Sequence, residues 1–253
     1  MKYYKWILFF LITCLHLQAA EPELITKDEV LKVAQTTKTK IEAIKSYQFL
    51  LVKREIVEGK DTGYQYLNVR VRTEPLAIYI KFLKPKRYEG REAIYFDGEV
   101  VAKRGGTRMS NMVVHILPDS PLAMEGNRYP ITHINPKVLA SELMQKIEQE
   151  LAFPDTKLEV YRQAKVYNQT GTHYRLTHTA QKDGMQCWIA EVLIDETLGL
   201  PIYFRVIDFQ KRVLEEYAFK DMSLDPQFSD QEFTEDNPAY GFLDAKKALK
   251  DDK

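Results

Sequence analysis

The 253-residue chain has only two cysteines, Cys14 and Cys187, and Cys14 falls in a leader-like segment. With one cysteine left beyond that segment an intrachain disulfide is excluded, so a fold of this size must be held by its core. Net charge is missing as well, since 36 basic residues balance 36 acidic ones. No long-range field gathers nucleic acid or an anionic membrane, and no nucleic-acid partner is expected. Glycine is sparse, 11 residues against 15 tyrosines and 12 phenylalanines, which suits strands better than helices or disorder. No repeat of solenoid length is evident.

What is there begins with MKYYKWILFFLITCLHLQAAEPE. Lysines in the first five residues, an apolar run from Trp6 to Leu15 and small residues Ala19 and Ala20 before a polar start have the three-part layout of a secretory signal. The run is short of the roughly 20 apolar residues that cross a bilayer. The expectation is a signal peptide over residues 1–20, export to the periplasm and no transmembrane segment in the mature chain. A single domain then covers residues 21–235, and a polar tail over 236–253 is expected to fray. The rival reading places a lipidation site at Cys14 and so a membrane anchor. Thr13 directly before the cysteine and the thirteen residues ahead of it count against that.

Past the leader, Thr26 and Glu29 have capping-box spacing, and Val30, Val33, Ala34, Ile41 and Ile44 fall on one helical stripe. From Tyr47 the period changes to two. QFLLVKREIV and YQYLNVRVRT are parted by the turn-rich EGKDTG, and the second run sets Leu67, Val69 and Val71 opposite Tyr66, Asn68, Arg70 and Arg72. PLAIYIKFLKP repeats the alternation with Leu76, Ile78, Ile80 and Phe82, and EAIYFDGEVVAK carries a DG turn between short strands. GGTRMSNMVVHILPD is expected to be a mobile loop leading to a short strand at Val113. In DSPLAMEGNRYPITHINP, Asn135-Pro136 has the order of an N-cap and a first-turn proline, and Leu139, Leu143, Ile147 and Leu151 then recur every four residues. Five more strand-like runs, from TKLEVYRQAKVY to RVLEEYAFKDM, complete the chain.

Two β blocks around a helix pair imply a mainly β (α+β) fold. The sheet is expected to be an open, incomplete antiparallel barrel of about ten or eleven strands, with two main helices covering its concave face. Several strands do not alternate cleanly: Phe49, Leu50, Leu51 and Val52 are contiguous, and Trp188 to Ile194 is apolar except at Glu191. Helices on the concave side explain part of this excess. A cavity lined beyond what they cover would explain the rest.

Chemistry-bearing motifs are scarce. Of His115, His133, His173 and His178, the last two lie five apart on one expected strand, so alternation sends them to opposite faces, and no other pair has ligand spacing. No metal and no cofactor is expected. Cys187, in strand-like sequence, reads as a small buried hydrophobe. Ser110 and Ser120 lack a histidine with an orienting acid nearby, and no catalytic residue is assigned. Asp119, Glu125 and Arg128 offer an acid, a base and an anion holder for hydrolysis. The plainer reading has Asp119 cap a turn, Gly126 supply a positive φ and Arg128, beside Tyr129, pair with a carboxylate on a rim. Arg70, Arg72 and Lys81 read as a solvated sheet face, and Asp195 and Asp208 as turn-capping carboxylates.

CWIAEVLIDETLGLPIYFRVIDFQKRVLEEYAFKDMSLDPQFSDQEF has strands ending in Ile194-Asp195 and at Asp208, a Leu200-Pro201 step, a strand closing in Tyr217-x-Phe219, and a final Phe233. In this it resembles the C-terminal half of the lipoprotein-carrier superfamily, which includes the periplasmic carrier and outer-membrane receptor for bacterial lipoproteins. LVKRE, YIKFLKP and above all SPLAMEGNRYPIT more closely resemble the bacterial family called domain of unknown function 1571, over roughly residues 30 to 233. The resemblance implies an exported, helix-capped, incomplete barrel with a hydrophobic cavity for acyl chains.

Burying each methylene of such a chain contributes about 0.8 kcal/mol, so ten give about 8 kcal/mol before ordering costs, near micromolar affinity with no catalytic group required. The expected lining is Leu67, Val69, Val71, Leu76, Ile78, Ile80, Phe82, Met109, Met112, Met124, Trp188, Ala190 and Val192, with Arg128 and Tyr129 on the rim. The opposing expectation is that the same residues fill a dry core. The expected function is therefore an envelope carrier or sensor of a lipid, or of the acyl chain of a lipoprotein, without enzymatic activity. A protein-interaction module with an envelope partner comes second, and a hydrolase built on residues 119–128 third.

Overall fold

The computed structural model of the chain describes residues 21–105 and 112–251. The leader, its Cys14 and Met109 lie outside the described residues.

Helix α1 (Lys27–Ala43) starts where the sequence signals it. The Thr26 hydroxyl accepts from the Glu29 amide, and the Glu29 carboxylate accepts from the Thr26 amide at 2.7 Å. Its far end is tied down by the Tyr47 hydroxyl, which donates to the Ile41 carbonyl at 2.9 Å. The β elements are β1 (Glu23–Leu24), β2 (Ser46–Val57), β3 (Lys60–Asp61), β4 (Gln65–Thr73), β5 (Leu76–Lys84), β6 (Glu92–Phe96), β7 (Glu99–Lys103) and β8 (Val113–Ile116) before the central helices, then β9 (Thr156–Val166), β10 (Gln169–His178), β11 (Ile189–Asp195), β12 (Pro201–Ile207) and β13 (Val213–Leu224). The central helices are the short α2 (Pro121–Met124), a 3-10 turn (Ile131–Ile134) and α3 (Pro136–Leu151), and α4 (Phe242–Asp251) closes the chain. Of the thirteen strands, β1 and β3 are two residues long, so eleven are of ordinary length.

All the pairing is antiparallel, in the order β1-β9-β10-β11-β12-β13-β2-β4-β5-β6-β7-β8, with β3 paired to β2. The two β blocks meet where β13 pairs with β2, so β8 and β9, consecutive in sequence, lie toward opposite edges. The connection between them must cross a whole face of the sheet. That is the structural task of SPLAMEGNRYPIT: Ser120 caps α2, Gly126 turns the chain at φ 72°, and Asn135 caps α3, its side chain accepting from the Lys137 amide at 3.1 Å. The expected turn cap, Asp119, yields that role to Ser120.

The helix-covered face carries the main core, in which Phe49, Leu51, Leu67, Val69, Val71 and Ile78 pack beneath Ile41 and Ile44. A second cluster of Leu151, Leu158, Leu176 and Cys187 packs with Val30 of α1 and Ile147 of α3. On the other face, charges stand in cross-strand register. Glu159, Arg175, Glu191, Arg205, Glu216 and Arg54 are successive partners across six strands, with Arg205 Nε 2.6 Å from Glu191. Near this ladder the β9–β10 hairpin folds back, and the Tyr167 hydroxyl donates to Glu216 at 3.2 Å. The bend needs Gly171, because a Cβ there would lie 2.2 Å from the Ile194 carbonyl oxygen.

Two expectations are corrected on this outer face. The polar tail does not fray as a whole: Tyr240, Phe242 and Ala245 are buried, Tyr240 and Phe242 pack with Ala77, Tyr79 and Ile94, and the Tyr240 and Tyr79 rings stack at 3.8 Å. For the same reason Arg70, Arg72 and Lys81 do not form a bare solvated surface. Arg70 pairs with Glu232 at 2.5 Å, Arg72 with Asp230 at 2.6 Å, and Lys81 with the buried Glu92, whose carboxylate also accepts from the Gly241 amide. Asp195 and Asp208 do accept from turn amides, those of Thr197, Leu198 and Arg212.

Candidate functional site

Three apolar cavities lie in series under α1, the connection and α3. Cavity 1, about 150 Å³, is a half-open cleft walled by β2, β4 to β8 and the 122–134 connection. Cavity 2, about 140 Å³, sits between α3 and β9 to β13, and cavity 3, about 70 Å³, between α1, α3 and the β10–β12 strands. Cavities 1 and 2 share Tyr129, Leu139 and Glu142 as walls, and cavities 2 and 3 share Val30, Leu143, Ile147, Tyr174 and Val192. An apolar cavity of about 150 Å³ is enough to admit benzene. Each of the larger two therefore has room for about six carbons.

The residues expected as lining divide. Leu67, Ile80, Phe82 and Met112 border cavity 1, and Ala190 and Val192 border cavity 2. Val69, Val71 and Ile78 share their face but sit in the packed core, with Leu76 against its margin, because Ile41 and Ile44 fill the space above them. Met124 ends α2 away from the cavity walls. Trp188 precedes β11 and lies instead against Lys211, whose ammonium is 5.6 Å from the ring. Arg128 borders cavity 2, and Tyr129 stands between cavities 1 and 2.

The wall between those two cavities holds a buried charge cluster that the sequence reading missed. Lys53 and Glu55 face the helices on β2, and Glu215 and Tyr217 do so on β13. Glu55 accepts from Lys53 Nζ at 3.0 Å, from the Arg128 amide at 3.3 Å and from the Tyr217 hydroxyl in a short contact. Lys53 also donates to Asn127 Oδ1 at 2.9 Å. Glu215 accepts from the Tyr129 hydroxyl at 2.9 Å and has Arg128 and Lys146 each at 3.8 Å. The Asn127-Arg128-Tyr129 step is thus fastened to two strands at once. A signal existed: Lys53 and Glu55 continue the parity of Phe49 and Leu51, and Glu215 that of Tyr217 and Phe219, so charges interrupt an apolar face.

Burial, reinforced by Glu55 and Glu215, drives the Tyr217 phenol well above its ordinary pKa. Burial and then Glu215 raise Tyr129 too, against the opposing pull of Lys146 and Arg128. For Lys146 and Arg128 burial is the largest influence and works against the charge, yet Glu215 and Tyr129 together outweigh it and both hold their protons more firmly than usual. At cavity 1 Arg91, Lys103 and Arg104 gather with Glu125. The Arg91 guanidinium lies 4.7 Å from the Tyr88 ring centroid, and its pKa is lowered by burial and by Arg104 against Tyr88 and Glu125. Leu122, half exposed, marks the opening of this cavity.

Residues 44–242 match the family described as Protein of unknown function (DUF1571). The chain belongs to the DUF1571 family. No curated protein sequence matches this DUF1571 chain. Among solved structures it is similar to LprF from Mycobacterium bovis (11% identity, TM-score 0.48, 81% of this chain and 97% of that one). It is similar also to the Mycobacterium tuberculosis lipoprotein LppX (12% identity, TM-score 0.47, 81% and 99%). A third similar structure is a putative outer membrane lipoprotein-sorting protein domain from Vibrio parahaemolyticus (9% identity, TM-score 0.38, 83% and 97%). Among the described residues no helix is long and apolar enough to cross a membrane.

Proposed function

We propose that this DUF1571 protein is exported and binds a lipid, or another molecule with an apolar tail, between its sheet and its helices, as a carrier or a sensor in the cell envelope. The observation that carries the reading is the series of apolar cavities, about 150, 140 and 70 Å³, in a face that is otherwise closely packed. Clefts of this kind leave apolar side chains uncovered beneath the helices, surface that a ligand's tail can remove from water. Export rests on the leader-like residues 1–20. The cationic Arg91, Lys103 and Arg104 at cavity 1 favour an anionic head group there. Binding rather than hydrolysis is proposed because Arg128, the anion holder of the hydrolytic alternative, is already engaged by Glu215 and Tyr129.

The test is native mass spectrometry on protein recovered from its own host, followed by titration with a fluorescent fatty acid. A co-purifying mass of lipid size, and saturable uptake weakened at least tenfold by Ala102→Phe in cavity 1 and Ala190→Phe in cavity 2, are the expected results. Ligand-free recovery with no uptake would remove the reading and leave a protein-interaction module as the alternative.

A further inference from the structure

Glu150, His178 and Cys187 come from three separate places, the last turn of α3, the end of β10 and the residues just before β11. All three are buried, and their donor atoms lie within 4.8 Å of one another. We propose that they form a binding site for a single divalent cation of the Zn²⁺ class, opening on cavity 2.

The hydrogen bonds behind the three side chains orient them toward a common point. The Thr156 hydroxyl donates to the Phe153 carbonyl at 2.9 Å, so at His178 Nδ1, 3.2 Å away, it can only accept. Nδ1 therefore carries a hydrogen, and Nε2 is the atom aimed inward, 2.6 Å from Glu150 Oε2. At that separation the two side chains are hydrogen-bonded, and a metal ion would take the hydrogen's place once the pair opens. The other carboxylate oxygen is held by the Gln186 amide at 3.0 Å. A histidine whose second nitrogen is fixed by a hydroxyl, and a carboxylate fixed by an amide, are the outer supports that metal ligands use.

Charge and size fit as well. Glu150 as carboxylate, Cys187 as thiolate and His178 neutral bring two negative charges to a divalent ion, so the loaded site is neutral where an uncompensated ion would be costly. The carbonyl end of α3, next to Glu150, adds partial negative charge. One nitrogen, one sulfur and one oxygen ligand suit Zn²⁺ better than a hard cation. Tetrahedral bonds of about 2.0–2.3 Å set donors about 3.3–3.8 Å apart, so on loading His178 Nε2 and Glu150 Oε2 open from 2.6 Å while the donors that are up to 4.8 Å apart close by on the order of 1 Å. Glu150 and Cys187 border cavity 2, which leaves the fourth position to water or to a ligand's head group. Binding forms the metal–sulfur bond and releases the Cys187 proton, with any second proton on His178. Burial together with Glu150 and Glu215 pushes the unloaded thiol up to about 12, so without metal it is protonated and inert.

The test uses the full chain carrying Cys14→Ser, in which Cys187 is the one thiol. After stripping with a chelator, Co²⁺ titration is expected to give a thiolate-to-cobalt charge-transfer band that saturates at one equivalent and is displaced by Zn²⁺. Thr156→Val, which removes the support behind His178, should weaken Co²⁺ binding by about 10–100-fold. Cys187→Ser should abolish the band. Folded protein that binds no Co²⁺ overturns the proposal, and so does binding without the thiolate band, which would assign the ion to a surface group such as His115 beside Glu99. The measurement needs no lipid, so its outcome is separate from that of the carrier reading.

Discussion

Lys53 and Glu55 are nearly inaccessible to solvent, at 6% and 2%, and each is the other's close counter-charge. Replacing such a pair with apolar residues is often neutral, whereas removing one partner strands the other. Glu55→Leu should therefore destabilise the fold by about 3–5 kcal/mol in urea unfolding, and the double variant Lys53→Met, Glu55→Leu should recover only part of that loss, because the Tyr217 hydroxyl and the Arg128 amide stay without their acceptor. If the double variant is no better than the single one, the pair is not coupled in this way. Tyr240 makes a related prediction through pH. Burial raises its phenol from 10.0 to about 12, with Glu232 assisting and Arg70 opposing. The unfolded chain loses this proton first, so the contribution to stability is complete below pH 10 and is lost as pH rises through 10 toward 12. Urea midpoints should fall over that interval, and Tyr240→Phe should make the fall shallower.

At the scale of elements, α4 separates what was legible from what was not. The tail has buried Tyr240, Phe242 and Ala245 among acidic and basic residues, and nothing local says which surface would receive them. The receiving surface is the outer side of β5 and β6, whose Ala77, Tyr79 and Ile94 read as ordinary strand residues. Phe242→Ala should cost about 3–5 kcal/mol, while a frayed tail would give almost no change in the unfolding midpoint. The beginnings of α1 and α3 were readable because a cap is local: Thr26 with Glu29, and Asn135 with Pro136, satisfy amides within a few residues of themselves. Strand periods were readable for the same reason. The pairing of β13 with β2 was not, since it joins residues such as Glu215 and Glu55 across most of the chain. The Glu150–His178–Cys187 cluster escaped likewise, because spacing along one strand says nothing about a ligand set drawn from a helix end, a strand end and a loop. Of the expected lining, alternation gave the correct face for Leu67 and Ile80. It could not tell that Val69 and Val71 on that same face would be filled over by Ile41 and Ile44.

For the whole molecule, the question is whether cavities 1 and 2 act as one space. They meet at Tyr129, whose hydroxyl donates to Glu215 while accepting from Lys146 at 3.1 Å and Arg128 at 3.2 Å. Three partners on one hydroxyl hold the ring as a partition, and the strands that supply Glu55 and Glu215 hold the segment that carries it. A tail of six carbons fits one side of the partition, by comparison with the benzene-sized void of about 150 Å³. A tail of twelve carbons needs both sides. Tyr129→Ala would remove the ring, while Arg128 and Lys146 remain to compensate Glu215. The variant should therefore bind a six-carbon carboxylate within about twofold of the parent. It should bind a twelve-carbon one more tightly, each newly buried methylene contributing up to about 0.8 kcal/mol. Calorimetric titration of both chain lengths against both proteins measures the difference directly. An equal change for the two lengths would mean that Tyr129 shapes the rim alone, and that the cavities on either side of it serve separate ends of the ligand.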